Sequence, residues 1–296
     1  MQSANRQVGE LSESDVLAPG SHACFVVGSS TRFERWTAAC LAEGTRRQEK
    51  AFRFGPRASL AAYGPSVTAV DPRVAIFADG PVDPDVMYAM LHRETAAARN
   101  EGYHGLRVVA DMDWLLALPP GRAEVAAFEL LVDEAVAELG ITAACAYRTA
   151  RFDAITIAEV VAVHPLTLGN PPIELGFRLW HVAGGTWEVS GEIDHSNAEP
   201  FGRALATVAG RSSSLRLRVA RLRFIAVAGM QAIVRVARSR PDLRVMIEDA
   251  SALLRRCWTL LDLHDTVPNV KFQPDLADEQ RTDRAGASAV ATKDPR

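Results

Sequence analysis

Residues 215–236 read LRLRVARLRFIAVAGMQAIVRV, and the fold is read outward from them. The stretch reads as a buried strand, a tight turn at Phe224–Gly229 and an amphipathic helix. A strand–turn–helix junction presents the N–H groups of the helix start to whatever docks there. This turn contains no acid, no hydroxyl and no basic residue, so whatever it does it does without them.

The neighbouring segments extend the same alternation. Upstream, Phe177 to Val182 and Thr186 to Val189 flank Ala183-Gly184-Gly185, a hairpin signal. Gly191-Glu192-Ile193-Asp194 follows, then a helix from about Asn197 to Val208. Downstream, Leu243 to Ile247 predicts another strand and Ala250 to Leu263 another helix. The order predicts a small α/β layer over residues 177–272, with a polar, aperiodic and disordered tail over 273–296. Residues 166–176, LTLGNPPIELG, have the composition of a linker.

Before that linker, residues 18–165 form a first unit. Strands are predicted at His22–Val27, Ala51–Phe54, Val74–Phe77, Leu106–Ala110 and Ile141–Tyr147. Phe33, Trp36, Thr37, Cys40, Leu41 and Gly44 recur at helical spacing. Asp79, Asp83 and Asp85 around Pro81 and Pro84 announce a second helix, which carries Val86, Met90, Leu91 and Ala98 on one stripe. A third runs from about Arg122 to Leu139. Strands alternating with helices predict a mostly parallel sheet covered by helices. Residues 1 to about 17 are polar and are expected to fray.

Composition narrows the function classes. The chain has 296 residues, is 48% hydrophobic and 23% charged, and carries a net charge of −3. That balance, with no basic run interleaved with aromatics, argues against a nucleic-acid or anionic-membrane partner. The N-terminus lacks a signal peptide's basic and apolar regions, and no apolar segment approaches the length of a membrane span. The four cysteines, Cys24, Cys40, Cys145 and Cys257, form no CxxC pair and have no histidine at ligand spacing. The expectation is reduced, mostly buried thiols in a cytoplasmic protein, with no metal site and no cofactor.

Catalytic signatures are weak. A phosphate-binding loop needs glycines, a lysine and a hydroxyl. The segment in that place reads GSSTRFERW, with Gly28 but no second glycine, no lysine, and Thr31 as the hydroxyl. Arg32 or Arg35 could hold an anion near the helix start. Asp111 and Asp113 follow a buried strand, where metal-binding or catalytic acids often sit, but a turn cap and a solvated acid explain them equally. The seven histidines, His22, His92, His104, His164, His181, His195 and His264, make no triad by spacing, and there is no GxSxG elbow. No catalytic residue is expected.

The second unit resembles the STAS domain family of anti-sigma-factor antagonists. The resemblance rests on Trp187-Glu188-Val189-Ser190-Gly191-Glu192-Ile193-Asp194, on Leu222-Arg223-Phe224-Ile225 and on Ala228-Gly229-Met230. It is extended by Val245-Met246-Ile247 and Leu260-Leu261-Asp262-Leu263. It implies a partner, an anti-sigma factor or switch kinase, bound through Asp194 and the turn Phe224, Ile225, Ala226, Val227, Ala228, Gly229 and Met230. The resemblance also implies a switch, since family members release the kinase when a serine in that turn is phosphorylated. Here Ala226, Val227 and Ala228 precede Gly229, so no phosphorylation is expected at Val227 or Ala228. A phosphate would bring roughly two negative charges and three acceptor oxygens, which alanine and valine cannot receive.

The first unit resembles the MEDS family of sensory domains. The matching residues are His22 with Phe25, Leu41–Glu49 (LAEGTRRQE), Arg107–Trp114 (RVVADMDW), Cys145-Ala146-Tyr147, Arg151-Phe152-Asp153 and His164-Pro165. The family usually has glutamate where this chain has Asp111. The resemblance implies a RecA-like three-layer α/β domain whose phosphate loop has eroded, followed by the smaller STAS-like α/β domain. It also implies an unspecified small-molecule ligand, for which His22, Asp111, Trp114, Tyr147 and His164 are candidates beyond the C-terminal strand ends. The combined expectation is a cytoplasmic, non-enzymatic signalling regulator. Two alternatives stay open: a scaffold or homo-oligomer built on the STAS-like domain, and a residual nucleotide-binding enzyme on the RecA-like half.

Overall fold

The computed structural model describes residues 6–55, 63, 66–72, 84–117 and 122–274. The strand expected at Val74–Phe77 and the tail from 275 onward lie outside the described residues.

The N-terminal domain is built in chain order from β1 (Gly9–Leu11), β2 (His22–Val27), α1 (Ser30–Arg46), β3 (Glu49–Phe54), β4 (Val67–Val70), α2 (Pro84–Asn100) and β5 (Gly105–Asp111). A 3-10 turn at Met112–Ala117, α3 (Arg122–Leu139), β6 (Thr142–Arg148), α4 (Ala154–Ala162) and β7 (Leu166–Leu168) complete it. Seven strands form one parallel sheet in the order β1-β7-β2-β6-β5-β3-β4. The central strands β2 and β5 are buried along their whole length, as strands covered on both faces must be. On one face α1 sets Phe33, Trp36, Cys40 and Leu41 against Phe25, Val27, Val109 and Ala146. On the other, α2, α3 and α4 set Met90, Leu91, Phe128, Val132 and Ile157 against Cys24, Val26, Val108 and Cys145. The result is the three-layer arrangement expected.

Two segments depart from the sequence reading. The polar lead-in is held rather than frayed: β1 pairs with β7 at the sheet edge, and Leu17 is only 1% exposed. The presumed linker begins with β7, inserted between β1 and β2. Both strands are three residues long, too short for a hydrophobic period, and their pairing comes from backbone groups distant in sequence.

The C-terminal domain consists of β8 (Phe177–Ala183), β9 (Thr186–Ile193), α5 (Ala198–Gly210), β10 (Ser214–Ile225), α6 (Val227–Ser239), β11 (Arg244–Glu248), α7 (Ala252–Leu260), α8 (Leu263–Thr266) and β12 (Val270–Phe272). Its sheet runs β12-β11-β10-β9-β8, antiparallel only in the β8–β9 hairpin. Leu179, Val189, Leu217 and Ile247 meet Phe201, Leu205, Ile233 and Leu254 in its core.

β10 is half-buried, not buried as its sequence suggested. Leu215, Leu217 and Val219 face the core, while Arg216, Arg218, Arg221 and Arg223 form ion pairs with Glu248, Asp249, Glu188 and Glu192. Register shifts against β9, between Arg218 and Arg221 and between Leu222 and Phe224, change which residues face inward. After the second, Ile225 packs against the core and Phe224 turns outward.

α3 serves both cores. Phe128, Leu131 and Val132 belong to the first and Leu130 to the second, so the helix is apolar over most of its circumference. Among the described residues no helix is long and apolar enough to cross a membrane.

Candidate functional site

At the end of β10 the chain reverses in one residue. Ala226 lies between the last residue of β10 and the first of α6, so the turn is shorter than the span Phe224–Gly229. The Ala226 N–H donates to the Ile193 carbonyl at 2.8 Å, and the Gly229 and Met230 N–H groups donate to the Ala226 carbonyl. As N-cap, Ala226 has no side-chain oxygen to offer, and the first turn of α6 contains no acid. The helix therefore starts without the polar cap that serine or aspartate would supply. A Cβ on Gly229 would come within 2.6 Å of Ile193 Cγ2 and 2.7 Å of Ile225 Cγ1, which explains glycine here.

The expected contact residues divide by exposure. Phe224 and Val227 are 50% and 46% exposed. Ile225, Ala226 and Ala228 are half-buried, and Gly229 is buried. Met230, at 2% exposure, belongs to the core and not to the surface. Asp194 follows Ile193, whose register partner is Ile225, so its loop borders the turn. Its carboxylate accepts from the Ser196 hydroxyl and N–H at 2.6 and 2.7 Å, and these bonds hold its pKa below the ordinary value. Asn197 fixes the loop by accepting from the Asp194 N–H and donating to the Glu192 carbonyl.

In the N-terminal domain three of the five candidate ligand residues meet and two stand apart. His22, Tyr147 and His164 converge on Glu129 of α3. The Tyr147 hydroxyl donates to Glu129 Oε1, and the Nε2 atoms of His22 and His164 lie 3.6 and 3.4 Å from Oε2. Cys145 Sγ is 3.5 Å from His22 Nε2. One helical turn on, Asp133 is bound by His22 Nδ1 at 3.0 Å, by Arg6 at 2.7 and 3.0 Å, and by the backbone N–H of His181 in β8 at 2.6 Å. The cluster is buried between α3 and the face of β2 and β6, not beyond the strand ends where a ligand was expected.

The electrostatics follow from that burial. Burial opposes the charge on Glu129, yet His164 and His22 hold its carboxyl far below the usual range. Burial likewise opposes the charge on Asp133, and Arg6 with His22 overcomes it. Burial alone would lower the His22 pKa, but Asp133 and Glu129 raise it above the ordinary value. For His164, burial and the neighbouring His22 prevail and lower it. Burial pushes the Cys145 thiol and the Tyr147 phenol up, with Glu129 adding to both.

Asp111 does end its strand, but it is tied to Arg148 at 2.6 Å. Arg148 also reaches Asp113 at 2.9 Å. Trp114 stacks edge-on against Phe128 and lines a cavity of about 50 Å³ with Met87, Met90, Met112 and Val132. Between β2 and α1, Gly28, Ser29 and Arg32 border a recess of about 160 Å³, and Arg32 pairs with Glu13.

Sequence reasoning missed Arg6, Glu129, Cys145 and Asp133. The only signal was Glu129 and Asp133, four residues apart on one helix face in the run Phe128–Val136, where Glu134 is the one other polar residue.

Comparison with known proteins bears on both domains. Residues 21–165 match the family model of MEDS, the methanogen/methylotroph DcmR sensory domain. No curated protein matches the chain. Among solved structures, an anti-sigma factor antagonist from Mycobacterium paratuberculosis is similar at 20% identity, over 38% of this chain and 97% of its own, with a TM-score of 0.30. The anti-sigma factor antagonist SpoIIAA in its unphosphorylated form is similar at 19% identity, over 37% of this chain and 96% of its own, with a TM-score of 0.27. A KaiC-like protein from Pyrococcus horikoshii is similar at 15% identity, over 45% of this chain and 64% of its own, with a TM-score of 0.34. Over residues 21–165, the N-terminal domain of this chain is a MEDS domain.

Proposed function

We propose that the chain is a non-catalytic signalling regulator in which the MEDS domain senses a small molecule and the C-terminal domain binds an anti-sigma factor or switch kinase. The observation that carries the reading is the apolar turn: Phe224 and Val227 stand half exposed beside Asp194, on a helix start with no polar cap. A contiguous exposed apolar patch marks a protein contact, and Phe224 and Val227 stand three residues apart at one turn. Because Ala226, Val227 and Ala228 offer no hydroxyl, the contact is not released by phosphorylation of the turn, and control comes from the sensor or from the amount of protein. The shared helix α3 and the Asp133–His181 bond supply a physical route between sensor and output. Capture of the partner by the full chain and by a Val227→Asp variant is the test.

The cavity beside Trp114 is the best supported place for the sensed molecule, which would be small and apolar. Apolar cavities stay dry and accept apolar probes that fit them, and one of about 50 Å³ admits xenon, whereas benzene needs roughly 150 Å³. A ligand at ten times its dissociation constant, bound only by the folded state, stabilises by about 1.4 kcal/mol. Xenon under pressure is therefore expected to raise the melting temperature of the wild type and not that of Met90→Trp, whose indole fills the cavity. Equal response of the two proteins would remove this site from the account.

A further inference from the structure

We propose that His22, Glu129, Cys145 and His164 form a buried zinc site. One ligand atom from each lies within 4.8 Å of the others. The separations of His22 Nε2 from Cys145 Sγ and from Glu129 Oε2, and of His164 Nε2 from Glu129 Oε2, are 3.5, 3.6 and 3.4 Å. Zinc bonds of about 2.0–2.3 Å in a tetrahedron give ligand–ligand edges of roughly 3.3–3.8 Å. Three of the six edges thus have the length found in a zinc shell and the other three are no longer than 4.8 Å, so small side-chain shifts would close the tetrahedron, although its residues come from β2, α3, β6 and the segment after α4.

The hydrogen bonding points the same way. Each ligand's second polar atom is engaged on the outer side: His22 Nδ1 with Asp133, His164 Nδ1 with the Val160 carbonyl at 2.7 Å, and Glu129 Oε1 with Tyr147. Outer partners of this kind fix the orientation of metal-bound histidines. The inward atoms Glu129 Oε2 and His164 Nε2 are fully buried and have no hydrogen-bond partner. Since the Val160 carbonyl can only accept, His164 Nδ1 carries a proton, so in the neutral ring the Nε2 lone pair faces a carboxylate oxygen. Those two buried acceptors, 3.4 Å apart, need a cation between them, either a proton on Nε2 or a metal ion.

Donor chemistry and charge select the ion. Two imidazoles, a carboxylate and a thiolate suit zinc, and four protein ligands leave no open position, so the site is structural. Binding would release the thiol proton of Cys145 and leave both imidazoles neutral. Zinc is then balanced by Glu129 and the Cys145 thiolate, and Asp133 by Arg6. The ion would tie α3 to the sheet beside the residue that reaches Arg6 and β8, stiffening the link between the domains.

The experiment is metal analysis of the full chain, freed of any tag, refolded with zinc or with cobalt and dialysed extensively. The expected result is about one equivalent of zinc per chain. The cobalt form should show tetrahedral ligand-field bands with a thiolate charge-transfer band. Cys145→Ser should lose the charge-transfer band, and Asp133→Asn should weaken metal affinity about 10- to 100-fold. A folded wild type that retains no zinc would overturn the proposal, as would metal content and cobalt spectrum unchanged in Cys145→Ser, which means adventitious metal elsewhere. If the variants fail to fold, the wild-type stoichiometry and cobalt spectrum decide alone.

Discussion

Asp133→Ala is expected to destabilise the chain by about 3–5 kcal/mol, the usual cost of removing one partner from a buried ion pair. The loss is concentrated because one carboxylate serves three donors: Arg6, His22 and the His181 N–H. Removing it leaves the Arg6 guanidinium, 8% exposed, without its charge partner. It also orphans a backbone N–H in β8 and frees the His22 ring to rotate. The effect is expected to spread through both domains, because the donors come from the N-terminal segment, β2 and β8. Chemical denaturation followed by tryptophan fluorescence measures it. A change below about 1 kcal/mol, typical of exposed pairs, would show that the hub does not hold the domains together.

Gly191→Ala is expected to cost about 4 kcal/mol, combining strain at positive φ with overpacking. Gly191 has φ +89°, and a Cβ there would fall 2.1 Å from the Gly176 carbonyl oxygen. Both obstacles are backbone, so no side chain can move aside. Gly229→Ala provides the contrast, since its neighbours are the side-chain carbons Ile193 Cγ2 and Ile225 Cγ1, which can shift, and its φ is ordinary. It should cost about 1–2 kcal/mol. Parallel denaturation of the two variants checks the order, and a milder Gly191→Ala would mean that the Gly191–Asp194 loop is not pinned against Gly176.

Much of the fold could be read in the sequence, because long apolar periods declare themselves locally. The face Phe33, Trp36, Cys40 and Leu41, the buried strand Leu106–Ala110 and the Gly184-Gly185 hairpin all appear where their patterns put them. What escaped is what depends on distant partners. β1 and β7 exist through each other's backbone, and Arg6 is buried only because Asp133 lies 127 residues away. Which side of β10 faces outward depends on two register shifts that leave no composition signal, and Met230, grouped with the turn by sequence, lies on the core-facing side of α6. His22 and His164 were singled out by resemblance, but spacing could not bring Glu129 and Cys145 to them. Nor could it separate Asp111 and Trp114 from that cluster.

In the proposed function the Phe224–Val227 surface holds a switch partner that phosphorylation cannot release. The most direct test is quantitative capture from native extract on immobilised full chain, wild type against Val227→Asp, with and without ATP. The account predicts that wild type recovers an anti-sigma factor or switch kinase, that Val227→Asp, with a charge in the apolar turn, loses at least ~90% of it, equivalent to about 1.4 kcal/mol or more, and that ATP changes neither result. Equal recovery by Val227→Asp would contradict the account, and so would ATP-dependent release with a phosphorylated residue within 224–230.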